Sequence, residues 1–350
     1  MSLGIAVVGA GYWGPNLVRN FRACPDWDLV AVCDLDPERA RGVVGPRSTV
    51  DIETSVESLL RRDDIAAIAV ATPARAHTAI ALAAIGAGKH VLVEKPLADS
   101  YQAGRRLVDA AAARGVVLMT DHTFCYTPVV RQISQLIQDG TLGEILFIDS
   151  VRINLGLIQP DVDVFWDLAP HDLSILDYVL PGGLRPLSVS AHGADPLGSG
   201  KSCIGYLTMP LPGGAIAHIH VNWLSPTKIR QMVIGGSRRT LVWDDLNPLQ
   251  RLAIYDRGVD FPIDSVTENE RSRAAISYRL GDMHAPAMPE REALSNVATE
   301  FAAAIAGRRA PMTDGEAGLR VLDVLEATTR SLDTAGSLVG FQSELVGGVR

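Results

Sequence analysis

A glycine-rich turn directly after the first apolar run constrains the fold of this 350-residue chain more than any other feature. The apolar run Leu3–Val8 leads into Gly9-x-Gly11-x-x-Gly14. Further apolar runs occupy residues 29–33, 65–71, 90–93 and 116–119, and alanine-rich stretches with helical spacing, such as 76–87 and 100–113, lie between them. Continuous apolar strands separated by helices predict a parallel sheet that is covered on both faces.

The pattern changes after about residue 125. A helix is predicted over residues 130–138, and strand-like composition follows at 144–153, 187–191, 203–209, 215–223, 230–234 and 240–243. Turn signals such as Pro212-Gly213-Gly214 favour antiparallel connections, and two helices, at 290–306 and 314–335, end the chain. We therefore expect an α/β chain: a Rossmann dinucleotide-binding domain over residues 1–123 and an α+β domain over residues 124–350. The second domain is expected to hold a large, mostly antiparallel open sheet, with its final helices packing back on the first domain.

Composition excludes several classes of protein. With 47% apolar and 21% charged residues the chain is globular rather than disordered. Its net charge of −8 and the lack of a basic patch argue against nucleic acid, and no apolar run approaches the ~20 residues of a membrane span. The four cysteines share no CxxC spacing and no signal peptide is evident. These features predict a reduced, cytoplasmic protein without a structural zinc site.

The glycine turn predicts a binding site for a pyrophosphate. The first glycine makes the turn, the second lets the backbone approach the ligand, and the third allows close packing of the helix on the strand. Tyr12 and Trp13, within the turn, are included among the candidate contacts. Asp34 ends the next strand, where a carboxylate would bind the ribose hydroxyls of NAD and repel a 2′-phosphate. The alternative is a simple glycine turn with a capping aspartate, but Asp36 is the better cap for a helix that begins at Pro37.

Two later strand ends add polar groups to the same edge of the sheet. Thr72, Pro73 and His77 follow the third apolar run, and Glu94 and Lys95 follow the fourth. Ligands of open α/β sheets bind outside the carboxyl ends of the strands, so all five are candidate cofactor contacts. The alternatives are a histidine satisfied at a helix start and a salt bridge between the neighbouring lysine and glutamate.

A second candidate constellation is Asp167-x-x-x-His171. Pro170 predicts a helix that starts there and runs over residues 173–180, with Asp172 in its first turn. The pair is interpreted as an oriented acid/base, with a metal half-site or a helix cap as alternatives. His218 and His220 are interpreted as sheet-surface residues, and Cys125 as a packing residue.

By these motifs the chain resembles the glucose-fructose oxidoreductase/inositol dehydrogenase/MocA-like family. The resemblance extends over GAGYWG, VCD, ATPARAH, VEKPL, HTFCYTP, WDLAPHDLSIL and NWLSPTKIRQMVIGG. It implies a catalytic Lys95 followed by a cis proline bond, catalytic Asp167 and His171, and a C-terminal sheet that forms the oligomer interface. The chain departs from many relatives at Cys125, where they carry an arginine.

The resemblance implies NAD-dependent oxidation of a secondary sugar hydroxyl, at C3 of a nucleotide-activated sugar. His171 would take the proton, Asp167 would orient the imidazole, and Lys95 would stabilise the alkoxide. Alternatives are an aminoglycoside, another secondary-metabolite sugar or a cyclitol, and a regulator that binds NAD(P) without turnover. Further candidates for substrate contact are His122, Tyr126, Arg152 and Trp166, with Lys228, Arg230 and Arg279 as diphosphate ligands. A homodimer or homotetramer through the C-terminal sheet is expected.

Overall fold

The computed structural model describes residues 2–159, 161–260 and 277–341, which form two sheets with helices around them. The first sheet contains β1 (Leu3–Val8), β2 (Trp27–Cys33), β3 (Asp51–Glu53), β4 (Ala67–Val70), β5 (His90–Glu94) and β6 (Leu118–Asp121). Its order is β3-β2-β1-β4-β5-β6, and all neighbouring strands are parallel. The parallel dinucleotide-binding sheet predicted from the sequence is thereby confirmed.

Five helices connect these strands. They are α1 (Gly14–Ala23), α2 (Pro37–Val44), α3 (Val56–Leu60), α4 (Ala74–Gly86) and α5 (Tyr101–Arg114). The Asp36 carboxylate accepts the backbone N–H groups of Glu38 and Arg39, so it caps α2 as predicted. Ser100 caps α5 in the same way through the N–H of Ala103. These local caps fix where each helix leaves the edge of the sheet.

The second sheet has eight strands in the order β14-β13-β12-β11-β7-β10-β9-β8. They are β7 (Ile145–Leu155), β8 (Ser190–Ala194), β9 (Ile204–Pro210), β10 (Ile216–Asn222), β11 (Leu224–Gly236), β12 (Thr240–Asp244), β13 (Leu252–Asp260) and β14 (Ser277–His284). Only β10 and β7 pair in parallel, and the remaining pairs are antiparallel. The large, mostly antiparallel sheet is also confirmed.

After β6 the described residues form four α-helices: α6 (Pro128–Gln138), α7 (Val164–Val179), α8 (Ala293–Gly307) and α9 (Gly315–Asp333). Helix α7 packs against one face of the second sheet, where Ala217, Ile219 and Val221 are fully buried. Helix α8 packs on α1 and α9 packs on α5. Trp27 of β2 donates its indole N–H to the carbonyl of Ala298 in α8 at 2.8 Å. The last two helices therefore join the first sheet rather than the second alone.

Two further observations bear on the sequence analysis. Among the residues described above, no helix is long and apolar enough to cross a membrane. All four cysteines are buried free thiols.

Candidate active site

A cleft of about 1700 Å³ lies between the carboxyl ends of the parallel strands and the second sheet. The Gly9–Gly14 turn, Asp34 and Thr72 line one part of it. Lys95, Asp167 and His171 line another. The two candidate constellations of the sequence therefore share one cleft. Tyr12 lies at the opening and is 91% exposed.

The glycine turn leaves a surface that only bare backbone can form. Gly9 has φ +103°, and a Cβ there would lie 2.6 Å from the carbonyl oxygen of Ala71. A Cβ on Gly14 would collide with the Gly9 carbonyl, so this glycine allows the close contact of helix and strand. A Cβ on Gly11 would meet nothing within 4 Å. Gly11 therefore borders open space at the N-terminus of α1, the arrangement that a pyrophosphate needs.

Asp34 is held rigidly at the end of β2. Its Oδ2 accepts the N–H of Ala10 at 2.7 Å, and its Oδ1 accepts the N–H of Asp36 at 2.9 Å. The guanidinium of Arg39 approaches the same Oδ1 at 3.4 Å. The carboxylate thus lies in the cleft beside the glycine turn, in a position that suits a ribose diol.

Of the candidate residues that follow β4, some line the cleft and one is enclosed in the interior. Thr72 and Pro73 line the cleft, and among the described residues the buried Thr72 hydroxyl has no hydrogen-bond partner. His77 is buried, and its ring nitrogens contact the carbonyls of Pro96 at 2.8 Å and Thr72 at 2.7 Å. The interpretation of His77 as a cofactor ligand is therefore corrected, because its ring is used to hold two strand ends together.

Two carboxyl groups meet at the carboxyl ends of neighbouring strands. Glu94 of β5 and Asp121 of β6 are partners in the strand register, and each lies close enough to affect the pKa of the other. Asp121 also accepts the indole N–H of Trp13 at 3.1 Å and the hydroxyl of Thr123 at 2.8 Å. Burial raises the pKa of both acids, and the charge of Asp121 raises the pKa of Glu94 further. The pair is thus favoured to carry a proton, held between the glycine turn and Lys95.

Lys95 pairs with Asp167 and not with Glu94. Its ammonium donates to the backbone carbonyl of Asp167 at 2.9 Å and to Oδ1 at 3.3 Å. The other carboxylate oxygen of Asp167 accepts the indole N–H of Trp223 at 3.0 Å. The Lys95–Pro96 peptide bond is cis, in agreement with the resemblance. The Lys95 ammonium is therefore held by a residue of α7.

The helix that carries Asp167 begins earlier than predicted. Helix α7 starts at Val164, where Asp163 caps it by accepting the N–H of Trp166 at 3.0 Å, and Pro170 lies inside it. The predicted start at Pro170 is wrong, because one missing N–H does not break a helix that is capped upstream and packed along its length. Asp167 and His171 consequently lie one turn apart on one helix face.

His171 lies in the cleft without a carboxylate partner. Within the described part of the chain, no hydrogen bond joins it to Asp167, and its Nδ1 has no partner. The expected contact between Asp167 and this imidazole is not seen here, and the two carboxylate oxygens of Asp167 contact Lys95 and Trp223 instead. Burial lowers the pKa of His171 well below its usual value, and nearby Lys95 and Arg152 lower it further. The imidazole is neutral at pH 7 and can accept a proton.

Three of the four candidate substrate contacts are internal. His122 is buried, and burial lowers its pKa to about 3. Tyr126 is buried, and its hydroxyl shares a hydrogen bond of 2.9 Å with the Thr313 hydroxyl. The buried Arg152 guanidinium donates two hydrogen bonds to the Asp172 carboxylate, from Nε at 2.7 Å and from Nη2 at 3.0 Å.

These three assignments are therefore corrected, since each group is used or enclosed by the protein itself. The predicted position of Asp172 in the first turn of a helix is also wrong. Asp172 lies buried in the middle of α7. Trp166 borders the main cleft and remains a candidate. Arg279 pairs with Asp256 at the far edge of the second sheet and does not line the cleft.

Sequence reasoning missed two residues of the site. Asp121 stands at the carboxyl end of a predicted strand, and the rule that selected Glu94 applies to it equally. Trp223 lies 56 residues from its partner Asp167, and only the NWLSPT motif of the resemblance marked it. A contact of this kind is set by the packing of α7 on the second sheet, which local sequence does not encode.

Comparison with known protein families identifies both halves of the chain. Residues 3–122 match the family model described as the oxidoreductase family with an NAD-binding Rossmann fold. Residues 130–242 match the GFO/IDH/MocA C-terminal domain.

Curated relatives include dehydrogenases and a hydratase. The UDP-N-acetylglucosamine 3-dehydrogenase of Acidithiobacillus ferrooxidans is 29% identical over 321 residues, which is 90% of this chain and 93% of that protein. The 2,7-anhydro-N-acetylneuraminate hydratase of Mediterraneibacter gnavus is 34% identical over 161 residues. That match covers 46% of this chain and 42% of the hydratase, so it spans less than half of each protein.

Solved structures extend the likeness to the whole fold. GenD2 from gentamicin A biosynthesis, solved in complex with NAD, is 25% identical to this chain, with a TM-score of 0.79. The structure of the Acidithiobacillus ferrooxidans UDP-N-acetylglucosamine 3-dehydrogenase has a TM-score of 0.78. The alignment covers 97% of this chain and 97% of GenD2.

Proposed function

We propose, from the premise that this chain belongs to the GFO/IDH/MocA family of NAD-binding oxidoreductases, that it oxidises C3 of a nucleotide-activated sugar. The observation that carries the proposal is the contact of Lys95 with Asp167, with His171 one helical turn farther on in the same cleft. A cation and a neutral imidazole then border the space in which a secondary hydroxyl would react.

The residues of the first sheet fit the dinucleotide. Gly9, Gly11 and Gly14 leave room for the pyrophosphate, Asp34 would hold the ribose hydroxyls, and the unpartnered Thr72 hydroxyl faces the same cleft. NAD, when bound, supplies the acceptor of the hydride that leaves the substrate carbon. The protein's own contribution is to orient the cofactor by backbone groups that need no rearrangement.

The side chains of the other part of the cleft manage the proton. His171 is neutral at pH 7 and would take the proton of the substrate hydroxyl. The Lys95 ammonium would donate a hydrogen bond to the same oxygen and stabilise its developing negative charge. Asp167 positions that ammonium through two contacts. In the reverse direction the same groups would protonate a ketone.

The substrate class is supported by the relatives. A full-length relative is named for oxidation of UDP-N-acetylglucosamine at C3, which favours a nucleotide-activated sugar. GenD2 belongs to the biosynthesis of an aminoglycoside, so a secondary-metabolite sugar is the second candidate. The two differ in the diphosphate, which only the first substrate carries.

The test is to follow NADH absorbance when the protein and NAD are given UDP-N-acetylglucosamine, an aminoglycoside or myo-inositol. NADH formation with the first alone supports the proposal. Formation with another member of the panel would replace the proposed substrate. Tight NAD binding without NADH formation from any sugar would instead indicate a regulator that does not turn over.

We also propose the remaining organisation of the protein. The domain boundary is placed between residues 123 and 124, where the first family match has just ended. A cytoplasmic location is favoured by the four free thiols.

A homodimer or homotetramer is proposed to form through the face of the second sheet opposite α7. On that face Tyr206 is 44% exposed and stacks on His220 at 4.4 Å and on His218 at 6.0 Å. Tyr206→Asp should shift the light-scattering mass toward 37.4 kDa, whereas Tyr278→Asp, on the edge strand β14, should not. A wild-type protein of 37.4 kDa at micromolar concentration would overturn this assembly.

A further inference from the structure

A small chamber of about 70 Å³ adjoins the reacting part of the cleft. Phe124, His171, Lys228 and Arg230 line both the chamber and the main cleft, so a substrate in the cleft is next to the chamber. Asn154, whose side chain is an amide, also lines both spaces. A cavity of this size is large enough to admit more than one water molecule, so it has room for a small polar group such as a carboxylate or a phosphate.

Positive charge is in excess around this chamber. Arg152 is neutralised by its two contacts with Asp172. Arg230 gives one nitrogen to Asp245 at 2.6 Å. No acidic side chain of the described residues pairs with Lys228, which is exposed and borders the chamber.

The aromatic ring of Phe124 keeps the guanidinium groups in place. The Arg152 guanidinium carbon lies 4.6 Å from the ring centroid and that of Arg230 lies 5.2 Å from it. Arg230 is therefore restrained twice, by the ring and by Asp245, while its side chain remains 28% exposed. A donor that is already ordered loses little entropy when it binds an anion.

We propose that this chamber binds an anionic group of the substrate, a carboxylate or a phosphate, through Lys228 and Arg230. The proposal rests on the proposed function, because it places the charged group of a sugar beside the carbon that reacts. The proposal adds the requirement that the substrate carries an anionic group, which oxidoreductase activity alone does not impose.

The anion would also change the proton chemistry of His171. Lys95 from the end of β5, Arg152 from β7, Arg230 from β11 and His122 from the end of β6 all face this imidazole and lower its pKa. Their influence adds to that of burial, which is the larger cause. Asp172 and Asp167, on the same helix as His171, are already paired. A negative charge beside Arg230 and Lys228 offsets this field, so the bound substrate makes the base stronger.

Binding measurements on the NADH-loaded protein test the proposal without turnover, because the reduced cofactor cannot accept a hydride. The probes are glucose, glucuronate and glucose 6-phosphate, which share one ring and differ in charge. Calorimetry should show that at least one charged probe binds about tenfold or more tightly than glucose, since each charge-assisted hydrogen bond adds appreciably to affinity. Preference for glucuronate identifies a carboxylate site, and preference for glucose 6-phosphate identifies a phosphate site.

Lys228→Ala should bring the affinity for the preferred probe down to that for glucose. Arg239→Ala, which removes an exposed charge at the turn between β11 and β12, is the matched control and should change nothing. Equal affinity for all three probes, or an equal effect of both variants, overturns the proposal.

Nuclear magnetic resonance of the labelled histidines provides a second readout. The preferred probe should raise the pKa of His171, and glucose should not. An unchanged pKa with a bound anion would place the anion elsewhere and overturn the proposal. The binding and resonance measurements do not depend on NADH formation, so they remain interpretable if the oxidation assay fails. Oxidation of neutral sugars, in turn, would not show that the chamber binds an anion.

Discussion

The two parts of the cleft are built by different means. The dinucleotide part consists of backbone at the Gly9–Gly14 turn and of Asp34, whose contacts to Ala10 and Asp36 lie within 24 residues along the chain. In the reacting part Lys95 meets Asp167 across 72 residues, and Asp167 meets Trp223 across a further 56. Cofactor binding is therefore encoded locally, whereas the chemistry depends on how the two sheets and α7 pack. Variants on the two sides should fail in different ways.

The largest expected effects are those of Lys95→Ala and His171→Ala. Each should lower kcat about 10²–10⁴-fold, because each removes a group that acts on the reacting oxygen or its proton. NAD affinity, measured by protein fluorescence, should stay near the wild-type value, since the glycine turn and Asp34 are untouched. His284→Ala, on the exposed end of β14, is the control. A variant that keeps more than about a tenth of the wild-type kcat would remove that residue from the proposed mechanism.

Asp167→Asn should have the next largest effect. Loss of the carboxylate charge weakens the hold on the Lys95 ammonium, which keeps its contact with the backbone carbonyl, and misplacement of a catalytic group by about 1 Å can cost about a hundredfold in rate. Steady-state kinetics should show the loss in kcat with NAD affinity unchanged. Asp163→Asn is the matched control on the same helix, because asparagine also caps helices well. If both variants were equally active, the contact between Lys95 and Asp167 would have no part in positioning.

Acid should destabilise the folded protein through His122. Its pKa falls to about 3 in the folded state against ~6.5 when unfolded, so the unfolded chain binds the extra proton first as pH falls. The stability this group contributes is complete above about pH 6.5, and about 2 kcal/mol of it is lost by pH 5. Chemical denaturation at pH 7 and pH 5 measures the loss.

His122→Asn should reduce that acid sensitivity, and His284→Asn, at an exposed site, should not. The raised pKa values of Glu94 and Asp121 act in the opposite direction, because folding favours their protonated forms as pH falls. Equal pH dependence in the wild type and His122→Asn would contradict the assignment to His122.

The smallest predicted effect concerns the choice between NAD and NADP. The wild type should favour NAD by about tenfold or more in kcat/KM, a difference of about 1.4 kcal/mol, because Asp34 repels a 2′-phosphate. Asp34→Ser should relax this preference, since Arg39 already lies beside the site and remains in place. Asp36→Ser keeps a capping residue on α2 and should retain the preference. Equal use of both cofactors by the wild type would show that Asp34 does not face the ribose.

The same contrast explains what the sequence predicts and what it does not. Apolar runs and the glycine turn locate five of the six parallel strands, but β3 has three residues and no apolar run. In the second sheet β13 and β14 were not predicted, because Arg257, Gly258 and Asp282 interrupt their alternation. The spacing predicts Asp167 and His171 as candidates, but the partners of Asp167, Lys95 and Trp223, depend on packing between distant parts of the chain. His77 and Arg152 were misassigned because composition does not show that a polar side chain is already satisfied by the protein.

One helix carries two of the three side chains to which the proposed mechanism assigns a role. Asp167 and His171 belong to α7, whereas Lys95 belongs to the first sheet. Any rotation that separates Asp167 from Lys95 withdraws His171 as well, since the two are fixed within one helix. A displacement of α7 relative to the first sheet would therefore move both side chains together and could not disturb one of them alone.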